Sequence, residues 1–152
     1  MLQFQKLNQD TVDAYLEYLK CAMEQEPHMM MAETFDEAGI RQRIRDPFYQ
    51  KTTSILAIED GAVIGRIEFH FYGCMQDGYR MAYVDWVYVL PQHRHRGVAQ
   101  GLFRELEKDC AAMGIDQYYL IRSERAEADR FYRAFEKAEL STAPLLRKYL
   151  SE

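Results

Sequence analysis

The sequence lacks any apolar run that resembles a signal peptide or a membrane span. Cysteine is scarce: there are three, an odd number without framework spacing, which fits a reducing compartment better than a disulfide scaffold. An excess of positive charge is also missing, because the formal net charge is −5 at pH 7, and this argues against a general nucleic-acid binder. We therefore expect a cytoplasmic protein that binds neither membranes nor nucleic acid.

The chain of 152 residues is long enough for a real core, and we expect residues 1–152 to form a single domain. The hydrophobic patterns predict an α/β (α+β) protein with a mixed sheet of roughly six or seven strands and about four helices. The predicted strands cover residues 3–7, 54–59, 62–72, 79–90, 117–121 and 145–150. The predicted helices lie between residues 10 and 26, 34 and 46, 98 and 113, and 127 and 137.

Residues 84–113 read as a buried strand, a loop and a helix. The strand is rich in Val and aromatic residues and ends at Pro91, which cannot donate to a sheet ladder. The helix carries an apolar stripe with helical spacing. Between them lies the basic loop, residues 91–97. A helix N-terminus offers unpaired N–H groups and a partial positive charge, so this arrangement suits a pyrophosphate. An ordinary strand-to-helix connection with a solvated loop is the alternative.

Three residues of this unit match a known signature. Arg94, Gly97 and Ala99 fill the defined positions of Arg/Gln-x-x-Gly-x-Gly/Ala, which is motif A of the GNAT superfamily, the GCN5-related N-acetyltransferases. The chain resembles that superfamily well over residues 54–137, and by element order before them. The resemblance implies the GNAT fold, with a parallel, splayed pair at its fourth and fifth strands. It also implies an N-acetyltransferase that moves an acetyl group from acetyl-CoA to a primary amine in a ternary complex.

The same resemblance implies which residues bind coenzyme A. The strand before the basic loop would pair with the pantetheine arm through its backbone, and an N–H near Val89 would stabilise the thioester oxyanion. The basic loop and the start of the helix would hold the pyrophosphate. The implied cofactor-binding residues are Val87, Tyr88, Val89, Arg94, His95, Arg96, Gly97, Val98, Ala99, Arg125 and Phe131.

A second motif concerns the catalytic acid. Ala128-x-x-Phe131-Tyr132 resembles the Ala-x-x-Phe-Tyr of GNAT motif B, and this implies that Tyr132 protonates the leaving thiolate of coenzyme A. Arg125 stands where the family often has Asn, so that it would meet a phosphate instead. Residues 135–137 read Phe-Glu-Lys in place of the usual Leu-Gly-Phe. The alternative for Tyr132 is an interfacial aromatic residue on an amphipathic helix.

The general base must take a proton from an amine that is mostly protonated at pH 7. Strict strand alternation predicts Asp85 on the face that carries Val87 and Val89, and it predicts Glu68 and His70 together on one face of the adjoining strand. We expect Asp85 or Glu68 to be the catalytic base, with His70 as a third candidate. Each of them also suits an anchor for the amine, or a solvated face.

The remaining candidates point away from metal and thiol chemistry. His93 and His95 lie in the basic loop without a Cys or an acidic residue at ligand spacing, so we expect no metal site. Cys110 lies on the apolar face of the helix and is expected in the core.

Other readings of the function stay open. A non-catalytic acyl-CoA-binding or regulatory module on the same fold is the main alternative, and a nucleic-acid module built on the basic loop is a weaker one. The acceptor is a small-molecule or peptide amine that the sequence does not identify. Apolar side chains near residues 145–150 favour a homodimer, although a terminal strand buried in the monomer explains them equally well.

Overall fold

The computed structural model describes residues 1–30 and 33–151, which form two compact units, Met1–Leu120 and Ile121–Glu152. The first unit contains the whole sheet and three of the four α-helices found in the described residues. The second contains the last helix. None of the helices in the described residues has the length and apolar character needed to cross a lipid bilayer.

The sheet confirms the predicted mixed α/β fold. Its strands are β1 (Leu2–Lys6), β2 (Thr52–Glu59), β3 (Ala62–Gly73), β4 (Arg80–Val89) and β5 (Gln117–Leu120). They lie in sequence order, antiparallel from β1 to β4, with β4 and β5 parallel.

The described residues form five strands, fewer than the six or seven expected. The difference lies at residues 145–150, which have no regular secondary structure. Their apolar side chains are exposed, Leu150 at 92%, and a strand without a hydrogen-bonded neighbour is marginal in water. The homodimer inferred from these side chains stays a prediction.

The helices are α1 (Val12–Gln25), α2 (Glu37–Arg43), α3 (Val98–Met113) and α4 (Ala126–Arg133). Thr34 and Glu37 have the spacing of a capping box, which would begin this helix near Thr34. Instead, the Asp36 side chain caps the helix by accepting a hydrogen bond of 3.0 Å from the Gly39 N–H. An Asp that directly precedes the first helical residue is a strong N-cap, which explains the later start.

Helices α1 and α3 cover opposite faces of the sheet. The ring of Tyr15 on α1 lies 5.2 Å from the Arg66 guanidinium, whereas Val98 on α3 approaches the preceding strand residue, Gly65. Successive strand residues point to opposite faces, so the two helices lie on different sides. The α1 face therefore carries an arginine within an otherwise apolar core, and it is the face on which the polar chemistry of this unit is found.

A β-bulge in β4 separates Asp85 from the valines that follow it. Glu68 pairs with Trp86 and the next β3 residue, Phe69, pairs with Val84, so Asp85 is the extra residue between them. Asp85 stays on the side of His70, whereas the bulge moves Val87 to the opposite face, where it pairs with Ile67. The prediction that Asp85 shares a face with Val87 and Val89 is therefore wrong. One inserted residue reverses the face of every side chain that follows it in the strand.

The ladder between β4 and β5 ends at Val84, where β5 itself ends at Leu120. Their pairing runs only from Met81–Gln117 to Val84–Leu120, although β4 continues to Val89. The last five residues of β4, 85–89, consequently extend beyond the ladder with β5. This confirms a strand segment whose outer edge is not paired with β5.

Close packing between β1 and α3 gives a first prediction. A Cβ on Gly101 would lie 2.4 Å from Cζ of Phe4, far inside van der Waals contact. Gly101→Ala should destabilise the fold by about 1–3 kcal/mol through overpacking, although Ala is favoured over Gly in a helix by up to about 1 kcal/mol. Urea unfolding measures the difference. Gly73→Ala is the matched control, since a Cβ there meets its nearest atom at 3.9 Å. Equal stability of Gly101→Ala and wild type would contradict this packing.

Candidate active site

The basic loop reaches α3 through two residues with left-handed backbone. His95 has φ 62° and Gly97 has φ 81°, and α3 begins directly afterwards at Val98. A Cβ on Gly97 would meet no atom within 4 Å, so open space lies beside it. Gly is required here because a side chain is strained at this φ and would occupy that space.

The start of α3 presents backbone donors next to this space. The Gly101 N–H donates to the Gly97 carbonyl at 3.0 Å, which is the bond expected for the fourth residue of a helix. The N–H groups of Val98, Ala99 and Gln100 come earlier and have no intrahelical acceptor. With the positive end of the helix dipole, they suit an anionic phosphate.

Both arginines of the basic loop are held by carboxylates. Arg96 donates to both carboxylate oxygens of Glu59, at 2.8 and 3.0 Å. Arg94 donates to the Val89 carbonyl at 2.9 Å and to the Glu26 carboxylate. The sequence predicted both guanidinium groups at the cofactor, whereas the structure places them on partners within the protein. The backbone N–H groups at the start of α3 therefore suit an anion better than the two paired guanidinium groups do.

The end of β4 shows how the strand backbone is oriented. The Leu90 N–H donates to the Ile64 carbonyl of β3 at 2.9 Å. Successive N–H groups of an extended strand point to opposite edges, so the Val89 N–H faces away from β3. That edge is the one that has diverged from β5. The geometry agrees with the role predicted for an N–H near Val89.

Three side chains meet on the α1 face of the sheet and form the carboxylate–histidine cluster, Glu68, His70 and Asp85. The His70 Nε2 lies 2.9 Å from Asp85 Oδ2, and its Nδ1 lies 3.2 Å from Thr52 Oγ1. One ligand atom from each member falls within 4.8 Å of the other two. Asp85 lies on the same face as Tyr83, the partner of His70, and it stands at the bulge, just beyond the last pair of the β4–β5 ladder.

Glu68 has the most unusual electrostatic position in the cluster. Its Oε1 accepts hydrogen bonds from Ser54 Oγ at 3.1 Å and from Arg66 Nη1 at 3.0 Å. Burial raises the pKa of the Glu68 carboxyl, the Arg66 charge opposes this, and the neighbouring Asp85 raises it further, so the net pKa lies above its ordinary value. A carboxylate with a raised pKa is a stronger proton acceptor than an ordinary one.

The charge of Arg66 makes this cluster a better site for a proton than for a metal ion. Two carboxylates and an imidazole are a donor set that divalent metals use. However, the Arg66 guanidinium is 8% exposed and already neutralises Glu68, so a dication there would face a buried positive charge. The arrangement is better suited to proton transfer or to holding an ammonium group.

A cavity of about 390 Å³ opens next to Glu68. Its lining comes from α1, α2 and the neighbouring strands. It includes Tyr15, Ile40, Arg43, Tyr49, Thr52 and Ser54. The cavity has room for a small molecule and shares Glu68 with the carboxylate–histidine cluster.

The second unit contains the remaining predicted site residues. Tyr132 and Phe131 lie on α4, and their ring centroids are 5.1 Å apart. Arg125 directly precedes the helix as its N-cap residue. Burial raises the pKa of the Tyr132 phenol to about 12, so it remains protonated throughout any ordinary assay range.

Several polar residues of the site escaped the sequence analysis. Thr52, Ser54 and Arg66 flank the cluster, and Glu26 holds Arg94. Arg66 carried a signal, because it alternates with Glu68 and His70 along one face of β3. Glu26 carried none, since an acidic residue before a proline at a helix end is unremarkable on its own.

Solved structures with the same architecture include several acetyltransferases. An aminoglycoside acetyltransferase from an uncultured soil metagenomic sample, in complex with sisomicin, superposes with a TM-score of 0.81 at 10% identity, over 99% of this chain and 97% of that one. A ribosomal-protein-alanine N-acetyltransferase from Brucella melitensis biovar Abortus 2308 gives 0.75 at 17% identity, over 97% and 100%. An aminoglycoside N-acetyltransferase in complex with CoA gives 0.74 at 18% identity, over 97% and 95%.

At these identities the structures establish a shared fold and no more. No curated protein sequence matches the chain. The model of the acetyltransferase (GNAT) family, however, matches residues 11–136, which is most of the chain and includes the basic loop, the carboxylate–histidine cluster and α4. The parallel pair of β4 and β5 and the glycine that directly precedes α3 agree with this match. The match shows that the chain belongs to the GNAT acetyltransferase family.

Proposed function

We propose that this protein transfers an acetyl group from acetyl-CoA to the primary amine of a small molecule, with the carboxylate–histidine cluster accepting the proton of the amine. The observation that carries the proposal is the position of Asp85. Its carboxylate lies beside Glu68 and His70, at the bulge and just beyond the last pair of the β4–β5 ladder. A proton acceptor thus lies next to the strand edge that suits a thioester.

The residues present fit coenzyme A. The open side of Gly97 and the first N–H groups of α3 suit its pyrophosphate, and the free edge of residues 87–89 suits its pantetheine arm. Bound there, acetyl-CoA would supply the acetyl thioester. The Val89 N–H would then stabilise negative charge on the carbonyl oxygen, and Tyr132, by its motif, would donate a proton to the departing sulfur.

The charge of the cluster favours a cationic acceptor. Two carboxylates face one guanidinium, so Glu68 and Asp85 together retain negative charge that attracts an ammonium group. Two of the neighbouring structures are aminoglycoside acetyltransferases, which supports a small-molecule amine. A ribosomal-protein-alanine N-acetyltransferase shares the fold, so a peptide amine is included in the test.

A thiol-release assay with acetyl-CoA across a panel of amines tests the function directly. The panel covers polyamines, aminoglycosides, amino acids and peptides with a free N-terminus. We expect release of free coenzyme A with at least one cationic small amine, and acetylated product of the matching mass. Coenzyme A binding without transfer to any member would instead identify a non-catalytic acyl-CoA-binding module.

A second prediction tests where the cofactor binds. Coenzyme A should raise the melting temperature of the wild type, since a ligand at a hundredfold excess over its Kd stabilises the native state by about 2.7 kcal/mol. Gly97→Glu should abolish this rise, because it fills the open space with a negative charge. Gly78→Glu is the matched control: Gly78 has φ 70° and a similarly open environment, so it shares the backbone strain. An undiminished rise in Gly97→Glu would place the cofactor elsewhere.

A further inference from the structure

A network of side chains ties the end of α1 to the end of β4 and to the basic loop. Glu26 follows α1 directly, and its side chain is only 16% exposed. Its Oε1 accepts a hydrogen bond of 2.7 Å from the Tyr88 hydroxyl and another from Arg94 Nη2. One carboxylate therefore holds a residue of the strand and a residue of the loop together.

The same network fixes the last carbonyl groups of β4. Arg94 Nε donates to the Val89 carbonyl at 2.9 Å, and the Tyr18 hydroxyl of α1 donates to the Tyr88 carbonyl at 3.0 Å. The Arg94 guanidinium also lies over the Tyr88 ring, 5.3 Å from its centre. These contacts orient the peptide groups at the point where β4 has already left β5.

Arg94 would lose these contacts by turning to a phosphate. The move would leave the largely buried Glu26 carboxylate without its counter-charge, which is unfavourable. Although partial burial alone raises the pKa of Glu26, the hydrogen bonds from Arg94 and Tyr88 lower it below its ordinary value, as expected for a carboxylate held in its charged form. Arg96, by comparison, is paired on a more exposed surface.

From this geometry we propose that Glu26 and Arg94 are positioning residues, which hold the β4 edge and the basic loop in the form that binds coenzyme A, and that Arg94 is not itself a phosphate ligand. The inference rests on the proposed function, since it concerns the same cofactor site. It couples α1, which lines the cavity next to Glu68, to the loop that would receive the pyrophosphate.

The two possible roles of Arg94 predict opposite effects of Glu26→Gln. If Arg94 positions the loop, weakening its partner disorders the site, and the Kd for coenzyme A should rise about tenfold, as expected for one charge-assisted hydrogen bond. If Arg94 is a phosphate ligand, removing the competing carboxylate frees it, and coenzyme A should bind more tightly. Titration calorimetry with coenzyme A distinguishes the two without any turnover.

A double-mutant cycle with Arg94→Gln completes the binding experiment. Because the two residues act as one unit, Glu26→Gln combined with Arg94→Gln should weaken binding no further than the worse single variant. Glu17→Gln is the control, since Glu17 lies on α1, which Glu26 directly follows, is 71% exposed and pairs with Lys20. If Arg94→Gln does not fold, the direction of the change in Glu26→Gln still decides.

A truncated acetyl donor distinguishes a positioning role of Arg94 from a direct contact between Arg94 and the pyrophosphate. S-acetylpantetheine carries the thioester without the pyrophosphate. If Glu26 and Arg94 position the site, the Glu26→Gln and Arg94→Gln variants should both lose kcat/KM. The loss should be a similar factor of about ten for acetyl-CoA and for S-acetylpantetheine. A loss confined to acetyl-CoA, or tighter binding of coenzyme A by Glu26→Gln, would overturn the positioning role alone. A wild type that binds no coenzyme A would overturn the proposed function as well.

Discussion

Glu68→Gln should lower kcat by about 10²- to 10⁴-fold, the usual contribution of general acid–base catalysis, while the Kd for coenzyme A stays close to that of the wild type. The substitution removes the proton acceptor but keeps an amide oxygen for Ser54 and Arg66, which now contact Glu68 Oε1. Steady-state kinetics with the best amine of the panel and calorimetry with coenzyme A give the two numbers. A melting curve shows whether the variant is still folded when the buried Arg66 contacts an amide instead of a carboxylate.

Glu17→Gln is the matched control for this variant, because it makes the same chemical change at an exposed position of α1. Its kcat should equal that of the wild type. A Glu68→Gln enzyme that keeps a kcat within about threefold of the wild type lies far below the range for general base catalysis. That result would mean that Glu68 anchors the amine or supports Arg66, and that the proton leaves through another group.

The pH dependence of kcat gives an independent check on the same carboxyl. Activity requires the deprotonated form of Glu68, and the pKa of this carboxyl is raised. In the wild type the acidic limb of the pH–kcat profile should therefore lie at a higher pH than the pKa of an ordinary carboxyl. Asp85 is one cause of that raised pKa, so Asp85→Asn should lower the pKa of Glu68 and move the acidic limb to lower pH. A limb that stays in place, or moves to higher pH, would contradict the coupling of the two carboxyls.

Tyr132→Phe should also reduce kcat by about 10²- to 10⁴-fold if the phenol donates the proton to the leaving sulfur. The ring is retained, so the packing against Phe131 and Phe135 and the melting temperature should change little. Because the pKa of Tyr132 is raised to about 12 by burial, the phenol does not titrate within the assay range. The reduction should therefore be uniform from about pH 6 to 10, with both limbs of the profile unmoved.

Tyr149→Phe serves as the control for Tyr132→Phe, since Tyr149 is 79% exposed and lies outside both motifs. It should behave as the wild type. If Tyr132→Phe retains kcat within about threefold of wild type, well under the usual effect of a catalytic acid, the resemblance to motif B fails at its central position. The thiolate would then leave unassisted or take its proton from water.

Local sequence patterns were sufficient to predict the features that depend on the backbone. The spacing of Arg94, Gly97 and Ala99 between an apolar strand and an amphipathic helix identified the start of α3, and Gly97 has the left-handed backbone that only glycine adopts freely. The apolar stripes predicted α1, α3 and α4 as helices, and the structure bears this out. These features depend on neighbours within a few residues, which a single sequence displays directly.

The partners of charged side chains could not be found in this way. Arg94 and Glu26 are 68 positions apart in the chain, and nothing local to either indicates the other. The sequence therefore assigned Arg94 to the cofactor from its place in motif A and from its charge. Arg66 likewise required the packing of α1 on β3 before its contact with Tyr15 could be seen.

The sequence by itself determined the class of fold and the family motifs, and it selected Glu68, His70 and Asp85 as candidates for the catalytic base. Only the tertiary structure decided that these three lie together while Val87 and Val89 lie on the other face, because the pairing of β4 with β3 sets both the register and the bulge. A strand pattern has a period of two, and one unpaired residue reverses the face of every side chain beyond it. Strand register and long-range ion pairs are set when the sheet and α1 pack together, and for this reason they appear only in the folded chain.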